Sequence, residues 1–193
     1  VDDNENVYMK KKRRFAMMDT LLQAESEGLI DDEGIIEETA TFTFAGHDTT
    51  SAAMTFTLLL LSHSQDVQQK LFEEIEEFVG DDMTIDTFNK MPYLERVLKE
   101  SLRLYPPAPI ILRTFTEDLQ HNGELFKKGT SIDFFFYDLH RDPEYFPDPE
   151  KFDPDRFLPE NCEKRHNFAY IPFSAGMVWK KKIAQKINFN FNF

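Results

Sequence analysis

MPYLERVLKESLRL, residues Met91–Leu104, is the stretch that decides the fold. Four of its apolar side chains recur at the spacing that lines one face of an α-helix: Leu94, Val97, Leu98 and Leu102. Pro92 falls in the first turn, where its missing amide donor does no harm. Glu100 and Arg103 stand three residues apart on the same helix. Alone, they are compatible with a surface ion pair worth roughly 0.2–0.5 kcal/mol, so their meaning depends on the surrounding sequence.

Helical patterns also fill the sequence before this stretch. One covers about residues 8–28, a long one runs from about 34 to 62, and an amphipathic one covers 65–79. The long pattern amounts to about eight turns, which is enough to cross a whole domain.

The pattern changes after Tyr105, where prolines end the helix. Two short runs, 110–115 and 130–136, are separated by turn residues and predict a small sheet over about residues 109–136. Residues 142–160 are too rich in proline for regular structure and too aromatic for a flexible linker, so we expect an ordered meander packed on the core. The predicted fold class is mainly α with a small β-sheet, without an internal domain boundary.

The long helix contains the motif AGHDTT, residues Ala45 to Thr50. A glycine in a helix interior costs about 1 kcal/mol relative to alanine, and threonine hydroxyls there can bond back to the preceding turn and bend the helix. Together these features predict a local opening. A flat ligand could approach the small residues Ala45 and Gly46, and Asp48 and Thr49 could relay protons. An ordinary buried kink is the alternative, and the motif alone does not decide between them.

Two further motifs follow along the chain, PDRF at Pro154–Phe157 and FSAG at Phe173–Gly176. Each is weak alone, but the four motifs occur in the order and at the spacings that one family uses. Over about residues 15–176 the chain resembles the cytochrome P450 superfamily. The fatty-acid omega-hydroxylase branch of that family carries Glu-Gly-His-Asp-Thr-Thr, which is close to Ala45–Thr50. The resemblance implies a partial heme-thiolate monooxygenase fold, its carboxy-terminal half, within residues 1–176.

The resemblance also implies roles for residues on the long helix and in the last motif. In the family this helix crosses the distal face of heme b, so Asp48 and Thr49 would handle oxygen and protons. Ala45 and Gly46 would lie against the heme. Phe173 and Gly176 would belong to the loop that carries the iron ligand.

The resemblance implies a structural role for three charged residues. Glu100, Arg103 and Arg156 would form a buried ion cluster that locks the meander and the ligand loop. Buried charges persist only when paired and hydrogen-bonded, so the loss of either arginine should damage folding rather than turnover. Arg113 corresponds to a base that pairs with a heme propionate; a strand-edge arginine in water is the alternative.

The chain departs from the family in two places. Part of the branch has a glutamate that esterifies the heme at the position of Ala45, so covalent attachment is not expected here. The ligand loop of the family reads Phe-x-x-Gly-x-Arg-x-Cys-x-Gly, but this chain has Val178 for the arginine, Lys180 for the cysteine and Lys182 for the final glycine. The axial thiolate favours O–O cleavage, and a lysine is cationic at neutral pH. We therefore expect no metal ligand at Lys180 and an inactive chain.

The other residues that could bind a heme iron are weak candidates. Cys162 stands 18 residues before Lys180 and is interpreted as an incidental thiol. Four histidines are interpreted as helix or turn residues rather than ligands: His47, His121, His140 and His166. Residues 177–193 contain a lysine run and end in alternating asparagine and phenylalanine, which predicts an aberrant, disordered tail. Our hypothesis is that the reading frame or splicing was lost after Gly176.

Composition excludes several classes of function. The 193 residues carry 35 acids and 22 bases, a net charge of −13 that would repel a phosphate backbone and argues against nucleic-acid binding. A single cysteine permits neither an internal disulfide nor a multi-cysteine metal site. The longest apolar run, Ala52–Leu61, is ten residues, short of the roughly 20 that a membrane-spanning helix needs. The chain starts with Val1 and without a signal peptide, so we expect it to come from the middle of a longer protein.

By resemblance, the expected partners are heme b, an NADPH-dependent reductase and an apolar small-molecule substrate such as a fatty acid. The family branch sits on the endoplasmic reticulum membrane through an amino-terminal anchor, which this chain lacks. Two alternatives stay open: a non-catalytic remnant of such an enzyme, and a helical protein-interaction module.

Overall fold

The structure is a computed structural model that describes residues 17–78, 80 and 84–175, and the backbone of 187–188. The chain divides into two compact units, Val1–Asp48 and Thr49–Phe193. No internal boundary was expected from the sequence, because a single helical pattern covers the junction. None of the described helices has an apolar stretch long enough to cross a lipid bilayer.

The first unit contains helix α1, Met17–Ser26, and the beginning of helix α2, Asp32–His63. Gly28 ends the first helix with a φ of 72°, a left-handed conformation that glycine adopts without a steric penalty. Asp31 begins the second: its carboxylate accepts from the amide of Gly34 at 2.9 Å. An acidic side chain at this point satisfies a backbone donor that has no partner inside the helix.

The α2 helix is continuous through the AGHDTT motif. The prediction that the helix opens locally at this motif is therefore wrong, since its secondary structure is not interrupted there. A side chain added at Gly46 would meet nothing within 4 Å, and the cost of one glycine, about 1 kcal/mol, is small against a helix of 32 residues. Thr55 bonds back to the carbonyl of Ser51 at 2.8 Å without interrupting the helix.

The second unit is mainly helical. Its helices after α2 are α3 (Gln65–Glu76), α4 (Ile85–Phe88), α5 (Pro92–Leu104), α6 (Phe136–Leu139) and α7 (Pro159–Glu163), with a 3₁₀ turn at Pro154–Phe157. A hydrophobic core joins the end of α2 to the next long helices through Leu61, Val67, Leu71, Tyr93 and Val97.

Glu74 of α3 ties that helix to the start of α5. Its two carboxylate oxygens accept from the amides of Tyr93 and Leu94, each at 2.8 Å. The first amides of a helix have no partner within the helix, and a negative charge there also offsets the helix dipole. Glu74 thus fixes where α5 begins.

Two small β-structures follow α5. Strand β1, Ile110–Phe115, pairs antiparallel with β4, Ser131–Phe135, and on its other edge with the two-residue β5, Ile187–Asn188. Strands β2, Leu119–His121, and β3, Glu124–Phe126, form a hairpin. The prediction of a mainly α fold with a small sheet is confirmed.

The turn expected at residues 121–124 is present, and one strand boundary differs from the prediction. Asn122 and Gly123 both have positive φ, 50° and 84°, which is the conformation of a two-residue hairpin turn. The second predicted strand ends one residue early, because Phe136 begins α6 and is buried there. Apart from β5, the tail 177–193 lies outside the described residues, so its predicted disorder stays a prediction.

The meander after α6 is irregular but packed. Phe146 and Phe157 are both buried, and Pro154 begins the 3₁₀ turn that packs against α5. The ring of Phe146 lies under two guanidinium groups, those of Arg103 at 5.1 Å and Arg165 at 4.3 Å from its centroid. Cations over an aromatic face are attracted by its quadrupole, which helps to order this irregular segment.

Replacing Phe146 by alanine should lower the free energy of unfolding by about 3–5 kcal/mol, the usual cost of emptying a buried phenylalanine site. Phe72→Ala is the matched control, because Phe72 is 53% exposed on α3, and it should change stability by less than about 1 kcal/mol. Urea unfolding followed by circular dichroism measures both. Equal effects would contradict the packing of the meander.

Candidate functional site

The centre of the second unit is the ion pair between Glu100 and Arg103. Both side chains are 0% exposed. The contact is bidentate: Arg103 Nε donates to Glu100 Oε2 at 2.7 Å, and Nη2 donates to Oε1 at 2.9 Å. The helix places the two residues one turn apart on its buried face, and the planar guanidinium matches a carboxylate edge to edge.

The remaining donors of Arg103 bind the backbone of the meander. Nη1 donates to the carbonyl of His140 at 2.8 Å, and Nη2 donates to that of Pro149 at 2.7 Å and to that of Lys151 at 3.3 Å. These acceptors lie 37 to 48 residues along the chain from the arginine. A single side chain therefore holds three points of the meander against α5.

Arg156 and Asp153 complete the cluster from the meander side. Arg156 Nε lies 3.4 Å from Glu100 Oε1, and Nη2 donates to the carbonyl of Asp148 at 2.7 Å. The amide of Asp153 donates to the same Glu100 oxygen at 2.9 Å. The structure therefore brings together Glu100, Arg103 and Arg156. The sequence analysis missed the amide of Asp153, because a backbone donor leaves no mark in the pattern of side chains.

Burial dominates the electrostatics of Glu100. Desolvation raises the pKa of its carboxyl above the ordinary value, although Arg103, the amide of Asp153 and Arg156 all act to lower it. Removing two charges from water costs several kcal/mol, which their attraction recovers only when all hydrogen bonds are made. The cluster thus selects one arrangement of the meander rather than adding a large net stability.

His140 and Tyr170 lie beside this cluster. Burial lowers the pKa of the His140 imidazole to about 4, and Arg103 and Arg141 add positive charge nearby. Burial also raises the pKa of Tyr170, whose hydroxyl donates to the carbonyl of Lys99 at 2.9 Å. Sequence analysis treated His140 as an ordinary turn residue and did not single out Tyr170, because their partners are distant in sequence.

Arg113 lies on strand β1 and Phe173 lies in the segment after Tyr170. A hydrogen bond from Arg113 to Ser174 joins the two. Arg113 Nη2 donates to the Ser174 hydroxyl at 3.2 Å, and Nη1 donates to the carbonyl of Leu112 at 2.7 Å. Phe173 is 82% exposed. Gly176 and Lys180 lie outside the described residues.

The four predicted residues of α2 lie along one helical stretch at the junction of the units. Ala45 is half-buried, while Gly46, Asp48 and Thr49 are exposed. Thr49 belongs to the second unit and the other three to the first. Their roles stay predictions.

The donors in the chain do not fit a thiolate-ligated heme. The only cysteine, Cys162, is exposed, and it lines a shallow cavity of about 200 Å³ together with Lys99, Arg165 and Tyr170. Within the described part of the chain, no three His, Cys, Asp or Glu side chains are grouped to hold a metal ion.

Comparison with known proteins identifies the fold. A model of the family described as Cytochrome P450 matches residues 2–177. The chain is 52% identical to "Probable cytochrome P450 4ac1" of Drosophila melanogaster, over 86% of this chain and 33% of that protein. It is 45% identical to "Cytochrome P450 4c21" of Blattella germanica, over 90% and 35%. A solved structure, "Retinoic acid bound cyanobacterial CYP120A1", aligns with a TM-score of 0.64 and 39% identity over 69% of this chain and 31% of that one.

These matches define the class of protein by its fold. The chain belongs to the cytochrome P450 family, and the predicted resemblance to its fatty-acid omega-hydroxylase branch is confirmed. The chain spans about a third of the length of the curated relatives that it matches.

Arg103→Ala should lower the free energy of unfolding by about 3–5 kcal/mol, because it leaves the buried Glu100 carboxylate without its main partner. Lys99→Ala is the control on the same helix: Lys99 pairs with Glu95 at the surface, and such pairs contribute less than about 1 kcal/mol. Chemical denaturation of the three proteins measures the difference. A loss in Arg103→Ala no larger than in the control would refute a structural role for the cluster.

The free energy of unfolding should also decrease as the pH is lowered, because His140 is buried as a neutral imidazole. Above pH 6.5 this histidine is neutral in both the folded and the unfolded chain. Between pH 6.5 and about 4 only the unfolded chain binds the proton, so the free energy of unfolding decreases as the pH falls through this window. His140→Gln should show a shallower decrease there, and parallel curves for the two proteins would contradict the burial of a neutral imidazole.

Proposed function

We propose that this chain forms a carboxy-terminal part of a heme-dependent monooxygenase fold. In such an enzyme, one oxygen atom is inserted into a C–H bond of an apolar substrate such as a fatty acid. The observation that carries the proposal is the buried Glu100–Arg103–Arg156 cluster, which joins α5 to the meander as the resemblance implies. Membership of the cytochrome P450 family supports it independently.

An apolar substrate is supported by one matched structure. That cyanobacterial protein has retinoic acid bound, and retinoic acid is an apolar chain with one carboxylate. We propose the same class of substrate here.

Individual residues have proposed roles within this fold. Asp48 supplies a carboxylate and Thr49 a hydroxyl, and groups of these two kinds can take part in proton transfer. Arg113 presents a cation for a carboxylate ligand group. Ala45 carries no carboxylate, so we propose no covalent attachment of a cofactor. An NADPH-dependent reductase and an endoplasmic reticulum location are proposed on the family resemblance alone.

A second candidate function is a non-catalytic family member. Lys180 stands where the family has its cysteine, and an ammonium group at neutral pH has no lone pair for iron. The axial thiolate supplies the electron density that favours O–O cleavage. We propose that the chain with this sequence does not turn over.

A heme titration of the purified chain, reduced under carbon monoxide, tests the second candidate. We expect no red-shifted Soret band of the thiolate type, because Lys180 cannot supply the ligand. Cys162→Ser is the matched control. A stoichiometric thiolate band that this substitution abolishes would overturn the proposal and assign the ligand to Cys162.

A chimera tests the family activity. Residues 49–175 of this chain would replace the matching segment of a full-length relative that keeps its own cysteine loop and amino-terminal part. We expect a thiolate-type band and oxidation of a fatty acid that the relative itself oxidises. A folded chimera with the band but without oxidation of any apolar substrate of the relative would contradict the proposed activity.

A further inference from the structure

His140 accepts one hydrogen bond with its backbone carbonyl and another with its imidazole ring. Its carbonyl accepts from Arg103 Nη1 at 2.8 Å, and its ring Nε2 accepts from the amide of Ile171 at 3.0 Å. The residue is 0% exposed. It therefore links the buried ion pair of α5 to the segment that follows Tyr170.

The hydrogen bond from Ile171 fixes the tautomer of the imidazole. A ring nitrogen that accepts an amide proton is unprotonated, so the proton of the neutral ring must reside on Nδ1. The ring stacks on Phe136 at 6.2 Å and faces Tyr170 at 5.3 Å between centroids. Packing and the acceptor bond together leave the ring one orientation.

The chain of hydrogen bonds continues beyond Ile171 to strand β1. The amide of Ser174 donates to the carbonyl of Ile171 at 3.0 Å, and Arg113 Nη2 donates to the hydroxyl of Ser174 at 3.2 Å. Ser174 has a φ of 63°, a left-handed conformation that is uncommon for a residue with a side chain. The bonds on either side of Ser174 hold the turn in that conformation.

We propose that His140 is a positioning residue, whose neutral imidazole couples the Glu100–Arg103 pair to the turn at residues 171–175 and through it to Arg113. The coupling deepens the proposed function, because in the family this turn leads into the ligand loop. It acts on the backbone alone and requires no bound cofactor. Coupling through a contiguous set of bonds needs a direct measurement of each end.

The charges around His140 restrict the coupling to the neutral ring. Arg103 faces it from α5, Arg141 follows it on its own segment, and Tyr170 faces it from the segment after the meander. Protonation would turn Nε2 into a donor pointing at the donor of Ile171. It would also place a second cation beside Arg103.

Nuclear magnetic resonance of the isotope-labelled full chain tests the proposal. The ring nitrogen shifts should show the Nδ1–H tautomer. In His140→Phe, which has no acceptor, the amides of Ile171 and Ser174 should exchange with solvent roughly tenfold faster than in the original chain, as expected for the loss of one buried hydrogen bond. His140→Gln retains an acceptor and should restore most of the protection. His121→Gln, on the exposed hairpin, should change neither amide.

Two results would overturn the proposal: an Nε2–H tautomer, or unchanged exchange at Ile171 in a folded His140→Phe. If His140→Phe does not fold, the original chain still decides, because protection of Ile171 should be lost as the pH falls through the titration of His140. Persistent protection across that titration would also overturn it. Since none of these readouts involves heme, a failure here is distinct from a failure of the heme titration or of the chimera.

Discussion

The rest of the second unit depends on a guanidinium and a carboxylate that have both been removed from water. Arg103 and Glu100 cannot be exposed without unpacking α5, and they cannot be buried without partners. Two carboxylate oxygens and three backbone carbonyls accept hydrogen bonds from Arg103. The amide of Asp153 donates a further hydrogen bond to Glu100. That desolvation still raises the pKa of Glu100 shows how costly the arrangement is. What the cluster provides is uniqueness: few other paths of the meander present carbonyls at these positions.

This constraint explains why the meander is ordered without regular structure. Its carbonyls at His140, Pro149 and Lys151 point at one side chain rather than at a neighbouring strand or the next helical turn. Prolines are tolerated there because a proline keeps its carbonyl while it lacks an amide, and the carbonyl of Pro149 is one of the three acceptors. Phe146 supplies the apolar counterpart by lying against Arg103 and Arg165. The meander is thus organised by the residues it contacts rather than by its own backbone ladder.

Much of the framework could be predicted from the sequence, because it depends on local patterns. The periodicity of Leu94 and Val97 indicates the α5 helix, which the structure has at Pro92–Leu104, and the spacing of Glu100 and Arg103 indicates their shared face. Features that depend on distant partners could not be predicted. His140 meets Ile171 across 31 residues, and nothing in the neighbourhood of either indicates the other. The expected opening at Gly46 failed for the opposite reason, since a local cost was overcome by the length of the helix.

The capping of α5 by Glu74 has a consequence for the order in which the chain folds. Glu74 and its amide donors are only 19 and 20 residues apart, whereas the carbonyls that satisfy Arg103 are up to 48 residues away. Short loops close at a lower entropic cost than long ones, so α3 and α5 can pair early. During synthesis, however, Arg103 emerges well before Lys151. In a nascent chain whose α3 and α5 have paired, Arg103 has Glu100 but lacks its later backbone acceptors, so its remaining donors must bind water until those residues have left the ribosome.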